Sequence, residues 1–245
     1  MAQAFFGGIH PSDQKGATNK KPVETLPPPA RVVIPMSLHI GAPCTPCVSV
    51  GDEVTVGQKV GEAPAFVSAP VHASISGKVS AVEPRIHFSG VPVMSVVIEN
   101  DFNETPCPSL SPAPDPDDLT PEQLAGIIKE AGIVGMGGAT FPTHVKITSG
   151  LGKVDTVIVN ASECEPYITS DHRILLEEPE AVLGGVKLLA RIFGVDRVHI
   201  AIEQNKSNAA GMLKLKIEEE KAPAVVDVLP TRYPQGAEKQ LCQSI

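Results

Sequence analysis

Thr156-Val157-Ile158-Val159-Asn160-Ala161-Ser162-Glu163-Cys164-Glu165-Pro166-Tyr167 begins as an apolar run and breaks into a polar loop stopped by proline. A short β-prone run bounded in this way predicts a buried strand. Downstream, Val182, Val186 and Leu189 keep helical spacing up to Gly194. Val198–Ile202 reads as a second strand, Ala209–Glu219 as a helix and Ala224–Leu229 as a third strand. Strands alternating with helices predict a parallel sheet covered on both faces, hence an α/β domain. Such a sheet would be expected to continue past Ile245. Upstream, Thr120-Pro121-Glu122-Gln123 is a helix start, with a Thr cap, Pro at the first helical position and Gln placed for a capping box. Leu124, Ile127, Ile128 and Ala131 follow at helical spacing, and Gly132 stops the helix.

The first half has another character. Of the 24 prolines, 18 lie in residues 1–121 and six in 122–245. Residues 1–30 read as an irregular arm ending in Leu26-Pro27-Pro28-Pro29. Residues 31–103 alternate short β-prone runs with Gly and Pro: Arg31–Pro35, Pro46–Val50, Glu53–Val56, Val71–Ser74, Lys78–Val82 and Val93–Glu99. Strands so short and frequent predict a compact sandwich or barrel. Pro106, Pro108, Pro112, Pro114, Pro116 and Pro121 make 104–121 a semi-rigid linker. The expected chain is α+β and multidomain, with the α/β domain occupying 122–245 and left incomplete.

Composition narrows the function. With 42% hydrophobic and 20% charged residues over 245 positions, the chain is neither disordered nor fibrous. A net charge of −8 argues against a nucleic-acid partner. The sequence contains no apolar run long enough to span a bilayer. Gly7, Gly8, Pro11 and Asp13 interrupt the place where a signal peptide needs an apolar stretch, which argues against export. Five cysteines without an export signal predict free thiols in a reducing compartment.

Three segments carry candidate chemistry. In Gly135-Met136-Gly137-Gly138-Ala139-Thr140-Phe141-Pro142-Thr143-His144-Val145-Lys146, glycines let backbone amides converge on an anion and Lys146 adds a full charge. Pro142 is placed to open a short helix there. A glycine cluster also serves as a plain turn, and this one lies after a helix and before a strand, unlike the dinucleotide fingerprint. The second segment, Asn160–Tyr167, falls at the carboxyl end of the first strand, where open α/β sheets bind ligands. Tyr233-Pro234-Gln235-Gly236-Ala237-Glu238-Lys239-Gln240-Leu241 falls at a carboxyl edge too, after the third strand, and three polar loops at the same edge of one sheet predict a shared pocket. Cys44-Thr45-Pro46-Cys47 supplies only half the ligands of a structural zinc site, so no metal is expected.

With these loops the chain resembles the RnfC component of the Rnf complexes, ion-translocating ferredoxin–NAD oxidoreductases of electron transport. More distantly it is similar to the NADH-oxidising flavoprotein of respiratory complex I. The likeness extends to Gly7-Gly8-Ile9-His10-Pro11, His39-Ile40-Gly41-Ala42-Pro43, Val50-Gly51-Asp52 and Asp171-His172-Arg173. Residues 41–100 also resemble a biotinyl/lipoyl-type barrel-sandwich hybrid, without the carrier lysine hairpin. Ser162 and Tyr167 follow the Rnf pattern where the complex I pattern has Asp and Gly, and Ala237 replaces a common Gly.

The resemblance implies a Rossmann-like domain binding FMN and NAD(H). The flavin phosphate would lie on Gly135, Gly137 and Gly138 near Lys146. Asn160 would hydrogen-bond the flavin, with Ser162 and Glu163 close by. Phe141 would stack on adenine, Glu165 would hold the nicotinamide nucleotide, and Gly236 and Glu238 would lie near the rings. No side chain is expected to act as a proton-transfer catalyst. The family's [4Fe–4S] clusters are expected only in a C-terminal region that is not part of this sequence. The implied partners are other Rnf subunits, including membrane subunits, with ferredoxin reached indirectly. The implied location is the cytoplasmic side of the membrane, held by protein contacts. A soluble relative of cobalamin-reductase type, or a non-catalytic docking fragment, are the rival readings.

Overall fold

The computed structural model describes residues 5–110 and 114–245; residues 1–4 and 111–113, Pro112 of the linker among them, lie outside the described residues. The chain forms two compact units, Leu26–Leu151 and a second built from residues up to Thr25 together with Gly152–Ile245. This division differs from the sequence expectation of a boundary near residue 121.

The Leu26–Leu151 unit holds seven strands and two helices among the described residues. β1 (Arg31–Pro35), β7 (Pro92–Asn100), β6 (Gly77–Ile86) and β3 (Glu53–Val54) form one antiparallel sheet in that order. β2 (Thr45–Pro46), β4 (Lys59–Glu62) and β5 (Val71–His72) form another. Ile34, Val79, Val96 and Ile98 from the first sheet meet Val60 and Val71 from the second in a common core. β1 has the expected bounds. β4 escapes the sequence pattern because Lys59-Val60-Gly61-Glu62 is too short and too charged to stand out, and its Val60 is fully buried all the same.

Helix α1 (Pro121–Glu130) opens on the complete Thr120/Gln123 capping box. Leu124 and Ile128 are buried, whereas Ile127 faces solvent. Gly132 ends the helix at φ 69, and a Cβ there would stand 2.5 Å from the Pro70 carbonyl. Helix α2 (Thr143–Gly150) follows the glycine loop, with Pro142 at its N-cap. His144 of α2 lies 2.9 Å from the Phe66 carbonyl through Nε2. Contacts of this kind explain why 122–151 packs with the β domain.

The second unit is a three-stranded parallel sheet, ordered β10 (Ala224–Leu229), β9 (Val198–Glu203), β8 (Val157–Ala161). Parallel neighbours require crossovers. Helices α3 (Ser170–Glu177) and α4 (Pro179–Phe193) connect β8 to β9, and α5 (Ser207–Glu220) connects β9 to β10. Side chains alternate faces along β9. Val198, Ile200 and Ile202 pack with Leu183 and Val186 of α4 and Leu213 of α5. Ala201 faces the other way, toward Leu229 and Leu241 of α6 (Glu238–Ser244). The sequence pattern does not mark α3 and α6 as helices, because each begins inside a polar loop. Among the described residues no helix is long and apolar enough to cross a membrane.

Leu183 is fully buried at the centre of the sheet–helix core. Leu183→Ala is expected to destabilise this unit by about 2–5 kcal/mol, read as a lower urea midpoint at unchanged slope.

Candidate functional site

The carboxyl ends of β8, β9 and β10 lie side by side and release three loops. The first and third are tied together. Asn160 donates from Nδ2 to the Gly236 carbonyl at 2.8 Å and accepts the Ser162 amide at 3.2 Å. The Gly236 amide points to Cys164 Sγ at 3.4 Å. The structure therefore brings Asn160, Ser162 and Gly236 into one cluster, as the shared sheet edge predicts.

Below this cluster two lysines are buried. Lys206, fully buried, donates to the Ser162 carbonyl at 2.5 Å and to Asn205 Oδ1 at 2.9 Å, and stands 3.3 Å from Glu203 Oε2. The other oxygen of Glu203 accepts the Arg232 amide at 3.1 Å. Burial pushes the Glu203 carboxyl up and the Lys206 ammonium down, and their mutual attraction opposes both shifts. Lys15, arriving from the arm, donates to the carbonyls of Glu163, Glu165 and Ile168.

Glu163 is also buried. Its carboxylate accepts the Asp171 amide at 2.6 Å, and the His172 amide lies 3.4 Å away, both at the N-terminus of α3. Burial raises its pKa against the lowering effect of the Asp171 amide. Glu165 and Glu238 lie at the surface, Glu238 at the first turn of α6. Ser162 Oγ and Gln235 Oε1 are buried without a hydrogen-bond partner among the described residues. A cavity of about 240 Å³ is lined by His10, Asp13, Lys15, Cys164, Glu203 and Arg232.

The glycine segment belongs to the other unit. It is closed by Gly135 N–H to the Phe141 carbonyl at 2.8 Å and Thr140 N–H to the Gly137 carbonyl at 3.0 Å. The left-handed residue here is Thr140, at φ 43, and none of Gly135, Gly137 and Gly138 adopts a positive φ. The glycines therefore do not serve the backbone angles of a nest. They leave space instead, since a Cβ on Gly137 or Gly138 would meet nothing within 4 Å. Lys146 lies on α2, its Nζ 6.0 Å from the Phe141 ring centre. The loop joins two helices, where the sequence suggested a helix and then a strand.

Cys44 is buried with its thiol on the Ala69 carbonyl at 3.0 Å, and Cys47 faces the Lys59 carbonyl at 3.4 Å. Among the described residues no group of three or more His, Cys, Asp and Glu is placed to hold a metal ion. Sequence reading misses Lys15, Glu203, Lys206 and Arg232. The carboxyl-edge rule that selects the first and third loops, applied to the second strand, points to Glu203 and Lys206.

Comparison with known proteins gives two family matches. Residues 3–103 match the RnfC barrel sandwich hybrid domain, and residues 128–245 the Nuo51 FMN-binding domain. The chain is 50% identical over 242 residues to the C component of the Na(+)-translocating ferredoxin:NAD(+) oxidoreductase complex of Acetobacterium woodii, covering 98% of this chain and 54% of that protein. It is 44% identical to the C component of the proton-translocating ferredoxin:NAD(+) oxidoreductase complex of Clostridium ljungdahlii, covering 98% and 52%. It is 40% identical to the C component of the ion-translocating oxidoreductase complex of Vibrio cholerae serotype O1, covering 97% and 30%. The chain thus spans about half the length of the first two and less than a third of the last.

The Glu203–Lys206 pair generates a stability test. Removing one member of a buried ion pair strands the other charge, so Glu203→Gln is expected to cost about 3–5 kcal/mol in denaturant unfolding. Adding Lys206→Met is expected to cost less than the sum of the two single changes, because no buried charge is left unpaired.

Proposed function

From the premise that the chain belongs to the RnfC family, we propose that it is the FMN- and NAD(H)-binding part of a ferredoxin–NAD oxidoreductase. In the whole assembly, electron transfer would be coupled to Na⁺ or H⁺ movement through membrane subunits. The chain would act on the cytoplasmic side, held there by protein contacts. The observation that carries the reading is the open glycine loop. Among the described residues the Met136, Gly137, Gly138 and Ala139 amides have no hydrogen-bond partner, and the missing Cβ atoms leave the backbone accessible.

Those features fit a phosphate. The loop amides and the Lys146 ammonium would hold it, and Gly135 would keep the loop closed through its bond to Phe141. Phe141 offers a ring face for adenine. At the sheet edge, Asn160 and the Ser162 hydroxyl would face the flavin. The unpartnered Ser162 Oγ fits this role, because a buried hydroxyl without a bond is costly. Glu163, committed to the α3 amides, would act by fixing the loop rather than by direct contact. Glu165 and Glu238, both at the surface, would bind and orient the nicotinamide nucleotide, with Gly236 allowing close approach.

Bound FMN would supply the redox chemistry, exchanging an electron pair with nicotinamide and single electrons with iron–sulfur centres. The work of the protein is to align the rings and exclude water. On this reading 122–245 is one Rossmann-like domain, joined by the 104–121 linker to a hybrid domain at 31–103, with 1–30 as an arm. Compactness alone divides the chain at Gly152.

The test is titration of FMN and then NADH, followed by flavin fluorescence and absorbance. FMN is expected to bind in the micromolar range, about −8 kcal/mol. Lys146→Ala is expected to weaken FMN roughly 10- to 100-fold, the worth of a charged hydrogen bond. Glu238→Gln is expected to weaken NADH with FMN affinity retained. No FMN binding at roughly 100 µM, above a micromolar dissociation constant, would overturn the reading for this chain.

A further inference from the structure

We propose that Lys15, in the N-terminal arm, is a positioning residue that sets the shape of the Glu163–Ile168 loop and so places Glu165 for the nucleotide. The proposal rests on the functional reading above, because it assigns a cause to the geometry of that same site.

The loop after β8 is strained. Glu163 sits at φ 48 and Tyr167 at φ 70, left-handed conformations that a non-glycine residue holds only where its surroundings impose them. These turns aim the carbonyls of Glu163, Glu165 and Ile168 at one point. Lys15 Nζ occupies that point, 3.0 Å from the first two and also bonded to the third. An ammonium has three N–H donors, and three carbonyls use them all. Glu163 Oε2 lies a further 3.9 Å from the same nitrogen. Lys15 is 4% exposed, so bulk solvent competes little for its hydrogens. Its role is therefore to hold the loop.

The arm that carries Lys15 is itself fixed to the third loop. Ile9 and Tyr233 exchange two backbone hydrogen bonds of 2.8 Å. Arg232 Nη1 donates to the Phe5 and Gly7 carbonyls at 3.1 and 3.3 Å. Next to Lys15, the Asp13 carbonyl accepts the Tyr167 amide at 2.8 Å. One strap thus holds the loop bearing Glu165 and the loop leading to Glu238. Without the lysine, three carbonyls lose a shared donor, and the left-handed residues keep only the Glu163 bonds to the α3 amides and the Tyr167 bond to Asp13. The loop should relax, moving the Glu165 backbone and exposing the half-buried Cys164 thiol between Glu163 and Glu165.

Lys15→Met and Lys15→Arg in the whole chain test this. Three readouts are hydrogen exchange of the amides of residues 163–165, 167 and 168, Cys164 alkylation by peptide mapping, and FMN and NADH dissociation constants. Lys15→Met is expected to speed loop exchange and Cys164 alkylation and to weaken NADH roughly tenfold, while FMN changes less than about threefold. Lys15→Arg keeps the charge but presents a planar fork, and is expected to fall between wild type and Lys15→Met. Should Lys15→Met fail to fold, faster Cys164 alkylation in a folded Lys15→Arg supports the proposal. Wild-type exchange, alkylation and NADH affinity in folded Lys15 variants would overturn it. Absence of NADH binding by the wild-type chain would instead overturn the functional reading. Loop exchange and alkylation would then still decide whether Lys15 shapes the loop.

Discussion

Two ammonium groups, Lys15 and Lys206, are buried at the carboxyl edge of the parallel sheet, and the loops around them are arranged to satisfy those charges. A buried charge is tolerated only when its hydrogen bonds are supplied. Lys206 draws in the Ser162 carbonyl and Glu203, and Lys15 draws in three carbonyls of the next loop segment. The backbone from Ser162 to Ile168 is thereby bent around two cations. Its outer side chains, Glu165 among them, are left at the surface where a ligand can reach them. Stability and site geometry come from one set of contacts.

The glycine loop answers to another constraint. It packs with the β domain through α1 and α2, and its glycines leave space where side chains would otherwise stand. Its Thr140, by contrast, carries the strained φ. The family matches and the compact units accordingly cut the chain at different places, 128 for the flavin-type module and Gly152 for the packing unit. A segment that belongs to one module by sequence and to another by packing is where evolutionary and physical boundaries need not agree.

Much of the fold is legible in the sequence for identifiable reasons. β1 and the Thr120 cap are signalled locally, by a short β-prone run and by capping chemistry, and both appear as expected. The α/β alternation is legible because Val198–Ile202 and Ala224–Leu229 are apolar runs too short for helices. The sheet edge singles out Asn160 and Gly236, which meet. β4, α3 and α6 are not legible, since their short polar sequences are stabilised by tertiary contacts that no local pattern encodes. Ile127 fits the helical stripe and yet is exposed, because only part of that stripe has a partner. Lys15 is the least visible of all. A lysine in a Gly- and Pro-rich arm looks like surface charge, and its burial depends on a loop 148 residues away.

On the proposed function, the polar loops at the carboxyl edge of the parallel sheet, shaped by two buried lysines, would form a nucleotide site. The most direct measurement is a backbone amide NMR titration of the whole chain with FMN, followed by NADH. FMN is predicted to perturb residues 160–163, and NADH is then predicted to perturb 165 and 236–238. Perturbations confined to the strands of the β domain, with these segments unmoved at saturation, would contradict it.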